Sequence, residues 1–521
     1  MACRAMKKRY AAALLGTLAL DRASDEPLYR QLYFAIREAI LDGRLRPGTR
    51  LPSTRSLASD LDVSRNTVVI AFDQLLAEGY VEGRTGAGTY VSATLPEDLL
   101  AARPGQSAAR TAAPPANSRL SERGRFLSGI RSPGLSQPMP FSPALPELAR
   151  FPFDDWARLL ARHWRYPKHE FLVGGDAAGY APLRAAIAAY LGAARAVTCD
   201  AEQVLIVSGA QQALDLATRV LIDPGDEVWI EDPGYAGIRG ALIASGAALV
   251  PVPLDAEGID VAAGRRRAPR ARLAIVTPSH QYPLGITMTL TRRLELLDWA
   301  RGAEAFIIED DYDSEYRYAG RPLAALQGLD GDGRVIYIGT FSKVMFPGLR
   351  MGYLVVPKDL VDAFRGLRQL IDSHPSSVAQ AALADFIAEG YLAAHVRRMR
   401  ALYAERQAAM VAELQKRLGD RFAVSPDESG MHLIGYLDDA VDDVALSRAA
   451  AERGVVVSPL SRLYIDATPR RGLMLGYAGV AEPTMRRAVA TLGRVFDDFF
   501  SRQSGPRETP RMALGRRRAG A

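Results

Sequence analysis

The chain has 521 residues, 48% hydrophobic and 24% charged, a globular balance too long for one compact core, so two or three domains are expected. Cys3 and Cys199, its only cysteines, exclude a disulfide framework and structural zinc, and a reducing cytoplasm fits. No apolar run reaches the roughly 18 residues a membrane helix needs, and most of the net charge of +6 sits in residues 501–521, where six arginines face Glu508 alone. That segment reads as a basic, disordered tail.

At the head, Lys7, Lys8 and Arg9 precede an Ala/Leu run to Leu20, but no small-residue cleavage site follows, so a secretion signal is not expected. Residues 22–92 alternate helical periodicity with turn signals. Leu28, Leu32, Ile36 and Ala39 share one face of a helix predicted over 27–42, stopped by Gly43 and Pro47-Gly48. A second helix follows Leu51-Pro52-Ser53 and ends near Leu61, and Ser64 caps a third that runs to about Glu78. Tyr80 to Val91 reads as a hairpin with a glycine-rich tip. Three helices with a tight turn before the third, then a hairpin, make a winged helix-turn-helix.

The third helix opens Ser64-Arg65-Asn66-Thr67. Arg bonds guanine and Asn adenine bidentately, hydroxyls serve phosphate or base, and a helix N-terminus attracts phosphate. Arg55 and Arg84 would flank this surface. Residues 21–92 nevertheless hold nine Arg against ten Asp/Glu. Recognition of double-stranded DNA must then rest on a local face and weak half-sites, which implies a dimer.

Residues 93–138 are rich in Ala, Pro, Ser and Arg and read as a linker, whose coil statistics give a span on the order of 35–40 Å. From 139 to 500 the chain is globular again. Apolar runs at 204–207, 227–230, 273–276, 305–308 and 335–338 alternate with helical stretches, so a largely parallel α/β sheet covered on both faces is expected. Ligands of such sheets bind outside the carboxyl ends of the strands.

Those ends carry the chemistry. Ile307-Ile308-Glu309-Asp310-Asp311-Tyr312 ends one strand in acid and phenol, and Gly339-Thr340-Phe341-Ser342-Lys343 ends the next in a hydroxyl-flanked lysine. An amine to form a Schiff base, a carboxylate to hold a ring nitrogen protonated and hydroxyls for a phosphate suit pyridoxal 5′-phosphate. Ser208-Gly209-Ala210-Gln211 hands a strand to a helix, where backbone N–H groups hold a phosphate dianion, and Arg350 adds a cationic fork. No metal-ligand spacing occurs.

Pro27-Leu28-Tyr29-Arg30-Gln31-Leu32, Leu51-Pro52-Ser53-Thr54-Arg55, Val63-Ser64-Arg65-Asn66-Thr67-Val68 and Gly79-Tyr80-Val81-Glu82 resemble the winged helix of GntR-type regulators. The resemblance implies DNA contacts from Arg55, Ser64, Arg65, Asn66, Thr67 and wing residue Gly86. Val69 stands where some members carry a further contacting arginine. With Ser208–Gln212, Glu231–Tyr235, Thr277–Pro283, Glu309–Asp313 and Gly339–Lys343, the whole chain resembles the MocR-type branch. There the winged helix is fused to a fold-type I aminotransferase-like domain, a mostly parallel seven-stranded sheet with a smaller α+β subdomain.

This resemblance implies a Schiff base on Lys343, Tyr235 stacked on the pyridine, Asp310 at the ring nitrogen with Asp311 and Asp313 as alternatives, and Tyr312 at the phenolic oxygen. Tyr282 takes the place of an asparagine facing the cofactor. His280 and Gln281 either line the substrate side or serve the loop. Met474 occupies the place of the arginine that grips a substrate α-carboxylate, with Arg462, Arg470 or Arg471 as possible substitutes. Gly174 replaces a tyrosine reaching across a dimer interface to the phosphate. A cytoplasmic regulator is implied, a homodimer with or without domain swapping, sensing the cofactor or an amine. The alternative is an aminotransferase with an accessory DNA-binding domain, and half-transamination during sensing is a third reading.

Overall fold

The computed structural model describes residues 15, 18–84, 87–95, 120–129, 139–143, 145–319 and 324–503. The chain divides into two compact units, residues 1–118 and 119–521.

In the first unit, α1 (Leu28–Leu41), α2 (Thr54–Asp60) and α3 (Arg65–Ala77) pack around Leu32, Ile36, Ala39, Leu57, Val68, Ala71 and Leu75. Each fully buried Leu or Ile side chain contributes roughly 1.5–3 kcal/mol. Ser53 accepts from the Ser56 amide at 3.1 Å and Ser64 from the Thr67 amide at 3.0 Å, so α2 and α3 start where the hydroxyls satisfy first-turn donors. Asp62 makes the turn between them at φ +51°, a left-handed conformation that short polar side chains tolerate. The hairpin pairs β1 (Val81–Arg84) with β2 (Gly88–Val91) in antiparallel register. Thr49–Leu51 joins its other edge through Leu51 N to Thr89 O and Val91 N to Thr49 O, both 2.9 Å.

The second unit begins in the segment read as linker, where α4 (Glu122–Gly129) forms a short helix and Arg123 donates to the Ala244 carbonyl at 2.8 Å. Its main sheet contains β3 (Val204–Val207), β4 (Glu227–Asp232), β5 (Ala248–Asp255), β6 (Gly258–Ile259), β7 (Leu273–Val276), β8 (Phe306–Asp311), β9 (Val335–Thr340) and β10 (Gly352–Val355). Their spatial order is β3-β10-β9-β8-β7-β4-β5-β6. The pairs β5–β4, β4–β7, β7–β8 and β8–β9 are parallel, whereas β10 runs antiparallel to both β3 and β9. The expected seven-stranded, mostly parallel sheet is therefore present, extended by the short β6. Ile275, Ile308 and Ile338 enter the core of one face, and Ala274, Ile307 and Trp229 that of the other. These continuous apolar runs are buried because both faces are covered.

The helices that matter for the site are α5 (Ala181–Arg195), α6 (Ala210–Leu221) after β3, α7 (Ala236–Ser245) after β4, and the long α8 (Tyr391–Leu418). A smaller antiparallel sheet, ordered β11 (Ala423–Val424), β12 (His432–Tyr436), β14 (Gly472–Gly476) and β13 (Ser458–Pro459), forms the α+β subdomain with α9 (Glu482–Gln503). The strands β8 and β9 run further than their apolar runs suggest, so Asp310 and Thr340 are strand residues.

Candidate functional site

Strands β3, β4, β7, β8 and β9 all point the same way, so their carboxyl ends gather the residues expected there. Between β3 and α6, Gly209 takes φ +119°, which side chains rarely adopt, and its Cα faces the Arg350 guanidinium. A Cβ placed there would stand 3.6 Å from Arg350 Nη2. The Ser208 amide donates to Gln212 Oε1 at 2.7 Å, which fixes the turn. Helix geometry leaves the first-turn N–H groups of Ala210 and Gln211 without an intrahelical acceptor. Gln211 itself turns away, donating to the Gly237 carbonyl at 3.0 Å. Across the sheet, Thr340 Oγ1 accepts from the Ser342 amide at 3.2 Å. The result is a cup with backbone donors, hydroxyls and one guanidinium.

The three neighbouring acids separate cleanly. Asp311 accepts from Arg195 at 2.9 Å, Tyr337 at 2.6 Å and Ser314 at 2.9 Å. Asp313 faces His280 Nδ1 at 3.1 Å. Asp310 Oδ1 is buried without a hydrogen-bond partner. Burial, with Asp311 and Glu231 nearby, raises the Asp310 carboxyl to about 7, while the Lys343 amine acts in the opposite sense. Lys343 is half-buried, and desolvation lowers its pKa against the pull of Asp313 and Asp310. Desolvation also raises the pKa of the Tyr235 hydroxyl; Asp310 pushes the same way and Arg350 opposes, so both charges act on this ring.

Tyr282 sits at the centre of an aromatic cluster, edge-on to Tyr235 at 5.7 Å, to Tyr312 at 6.0 Å and to His432 at 5.7 Å. The Tyr312 hydroxyl lies 2.9 Å from His280 Nδ1. Burial alone would lower the His280 pKa, but Asp313 and Asp427 raise it to about 10, so the ring is an imidazolium bridging β7, β8 and the smaller subdomain. His280 is thus a packed junction, and Gly430 shows how tightly: a Cβ there would fall 2.1 Å from the ring. Gln281 donates to Glu231 and the Pro233 carbonyl, and so serves the loop. Sequence reasoning missed Asp427, more than a hundred residues beyond His280. It also missed Asp232, which accepts from the amides of Ile465, Asp466 and Ala467 at 2.7–2.8 Å and pins the subdomain loop.

On the smaller sheet His432 pairs with Gly476 and Ile434 with Met474, so these positions share a face, and His432 abuts Tyr282. Met474 is buried on that side. Of the possible substitutes, Arg470 lies 3.8 Å over the Tyr436 ring, Arg471 pairs with Asp443 at 3.3 Å, and Arg462 is exposed beside Leu463. Gly174 adopts φ +100° at the end of a short helical turn.

In the first unit, Arg55, Ser64, Arg65 and Asn66 are exposed at the starts of α2 and α3, and Thr67 is partly buried, its hydroxyl 2.8 Å from that of Ser64. Arg84 is exposed on the wing strand, where it pairs with Glu82 at 2.6 Å and stacks on Tyr90 at 4.6 Å. Glu82 stands two residues back on the same strand, and Tyr90 lies on the partner strand. Gly86 lies outside the described residues. Arg50, not anticipated, lies against Gly88 of the wing. Among the described residues, no group of His, Cys, Asp and Glu is placed to hold a metal ion, and no helix is long and apolar enough to cross a membrane.

Residues 28–91 match the gntR family of bacterial regulatory proteins, and residues 145–492 match aminotransferase class I and II. The chain is 48% identical over 481 residues to the probable rhizopine catabolism regulatory protein MocR of Rhizobium meliloti, covering 92% of this chain and 96% of the other. It is 32% identical over 482 residues to the pyridoxine biosynthesis transcriptional regulator PdxR of Corynebacterium glutamicum, covering 91% and 97%. Among solved structures, Pyrococcus horikoshii kynurenine aminotransferase matches at 26% identity and a TM-score of 0.66, over 73% of this chain and 98% of that one. The α-aminoadipate aminotransferase LysN of Thermus thermophilus, complexed with N-(5′-phosphopyridoxyl)-L-leucine, matches at 29% and 0.65, over 70% and 94%. With a complete winged helix, an aminotransferase-like sheet and relatives matched along nearly their full length, this chain belongs to the MocR-type family of GntR regulators.

Proposed function

We propose that this protein is a cytoplasmic transcriptional regulator that binds promoter DNA through α3 and the wing, and holds pyridoxal 5′-phosphate at the carboxyl end of the main sheet to sense it or an amine. The observation that carries this reading is Asp310, a buried carboxylate with an unpartnered oxygen beside a desolvated lysine, together with a cup whose Gly209 takes a φ of +119° in front of Arg350. Those three features fit the pyridine nitrogen, the aldehyde and the phosphate. When bound, the cofactor supplies an aldehyde that condenses with an amine and a ring that withdraws electrons.

This chain's residues do the rest. Lys343, whose pKa desolvation lowers, offers the amine that condensation needs. Asp310 gains a cationic partner for a carboxylate that burial otherwise penalises. Ser208, Gly209, Ala210, Thr340, Ser342 and Arg350 hold the phosphate, and Tyr235, Tyr282 and Tyr312 wall the ring. In the DNA-binding unit, Arg65 and Asn66 read base edges while Arg55, Ser64 and Thr67 position the backbone.

The assembly we propose is a homodimer. Trp164, Tyr166, Leu172, Val173 and Leu370 leave large apolar surfaces exposed, on segments tied together where the Gly175 amide donates to His374. Ligand-biased dimer arrangements then change DNA affinity. The test is spectroscopic: the purified protein with pyridoxal 5′-phosphate should develop visible absorbance that borohydride fixes to the chain, and Lys343→Ala should not. A folded preparation that takes up no cofactor refutes the reading. Steady turnover of an amino acid with a 2-oxo acid would replace it with the aminotransferase reading.

A further inference from the structure

We infer that the cleft between the start of α7 and the loop at 462–465 binds the anionic group, carboxylate or phosphate, of a small organic acid. Gly234, Tyr235, Arg239, Arg462, Leu463 and Ile465 line it. None of the residues of the phosphate cup does, so this is a second anion site that shares only Tyr235 with the proposed cofactor site. It stands independently of the cofactor reading.

A guanidinium nitrogen shut away from water without an acceptor is costly, and folded proteins rarely leave one. Four described arginines bury such a nitrogen: Arg184, Arg239, Arg317 and Arg368. Three of them reach a carboxylate through another nitrogen or the far side of the group: Arg184 lies 3.8 Å from Asp176, Arg317 2.6 Å from Glu428 and Arg368 3.0 Å from Asp372. Arg239 has no ion pair or hydrogen bond to any described residue, and its buried Nε is the unmet donor. Arg462, exposed and lining the same cleft from the loop, has none to the described residues either. Two guanidiniums sharing one space repel each other unless an anion lies with them, and their forked donors suit carboxylate and phosphate oxygens.

The nearby acids do not fill that role. Glu231 also lines the cleft, but it accepts from Thr277 and Gln281, and burial raises its pKa to about 7, which weakens its charge at neutral pH. Asp232 holds the amides of Ile465, Asp466 and Ala467, and Asp466 pairs with Arg267 at 2.9 Å. Those bonds, with the Gly234 amide donating to the Leu463 carbonyl at 3.4 Å, tie the loop to the end of β4, so the cleft is built before a ligand arrives. Tyr235 and Ile465, 39% and 40% exposed, offer apolar surface to the body of the acid. The ligand class is therefore an oxyanion on an apolar stem.

The experiment uses the full-length protein and probes of one shape: benzoate, phenyl phosphate and the neutral benzamide. Calorimetry gives the affinities. A charge-assisted pair is worth roughly 10- to 100-fold in affinity, so at least one anion is expected to bind about tenfold or more tighter than benzamide. Which anion leads tells a carboxylate ligand from a phosphate one. Arg239→Gln and Arg462→Gln should each weaken that binding by about tenfold, and the exposed position of Arg462 keeps the test usable if the variant at 239 does not fold. Arg350→Gln, which alters the cup, should retain it within about twofold, as expected of a separate site. Equal binding of anions and benzamide, no measurable binding of either anion, or anion binding insensitive to both substitutions overturns the inference. Binding lost only in Arg350→Gln overturns it too, by assigning the anion to the cup. Uptake of pyridoxal 5′-phosphate is read separately from visible absorbance, so failure there refutes the cofactor reading and leaves this site standing.

Discussion

Replacing His280 by glutamine should cost the large unit a pH-dependent increment of stability. His280 is a buried imidazolium flanked by Asp313 and Asp427, with the Tyr312 hydroxyl and His432 ring also against it. Burial would lower its pKa, yet the two carboxylates raise it from 6.5 to about 10. A folded-state pKa above the unfolded one contributes stability that is fully present below pH 6.5 and is lost as pH rises through 10. At ~1.4 kcal/mol per unit, the contribution is on the order of 3–5 kcal/mol. Breaking a buried ion pair by removing one partner costs about the same, 3–5 kcal/mol.

Urea unfolding followed by tryptophan fluorescence reads this unit alone, because Trp156, Trp164, Trp229 and Trp299 are the chain's only tryptophans and all lie in it. Near pH 6 the variant should be about 3 kcal/mol or more less stable than the wild type, and the gap should shrink steadily toward pH 10. A gap below about 1 kcal/mol near pH 6, within the scatter of ordinary surface substitutions, or one that stays constant across the range, would refute the reasoning.

Further outcomes can be measured on the same preparations. Gly209→Ala forces a side chain into φ +119° and into the cup before Arg350, so thermal unfolding should show a loss of about 1–3 kcal/mol and inorganic phosphate should protect the variant less than the wild type. Asp310→Asn removes a carboxyl that burial penalises above its ordinary pKa; without ligand the variant should equal or exceed wild-type stability at pH 8, while its cofactor affinity falls. Ser64→Ala deletes the α3 cap at Thr67 and should lower the melting point of the isolated DNA-binding transition by an amount equivalent to about 1 kcal/mol. Arg65→Ala should weaken a specific promoter complex by about 1–3 kcal/mol in gel-shift titrations at fixed salt, with no change in visible absorbance.

The winged helix was legible almost to the residue because its signals are local: an apolar face every three or four positions, Ser64 before a helix, glycines at turns. The sheet was legible for the same reason, since fully buried strands read as unbroken apolar runs. Partnerships between distant segments were not. Asp310, Asp311 and Asp313 are equivalent in the sequence, and they are separated only by Arg195 and Tyr337 reaching Asp311 and by His280 reaching Asp313. The short helix α4 carries few large apolar residues and none buried, so no periodicity marks it within the presumed linker; its Arg123 contact to Ala244 spans more than a hundred residues. The partners of Arg84 were not legible either: a strand sets side chains of alternate residues on one face, and Glu82 and Tyr90 occupy that face with it.

The antiparallel course of β10 has a mechanical consequence. The chain leaves β9 at Thr340 and returns as β10 at Gly352, with the neck closed by the Phe341 amide donating to the Met351 carbonyl at 3.0 Å. Lys343 hangs near one side of that lasso and Arg350 near the other, so the groups proposed for the two ends of the cofactor belong to a single noose. A change at Lys343 therefore bears on the same short connection that carries Arg350, and amide exchange within 341–351 is the measurement that would show whether the two respond together.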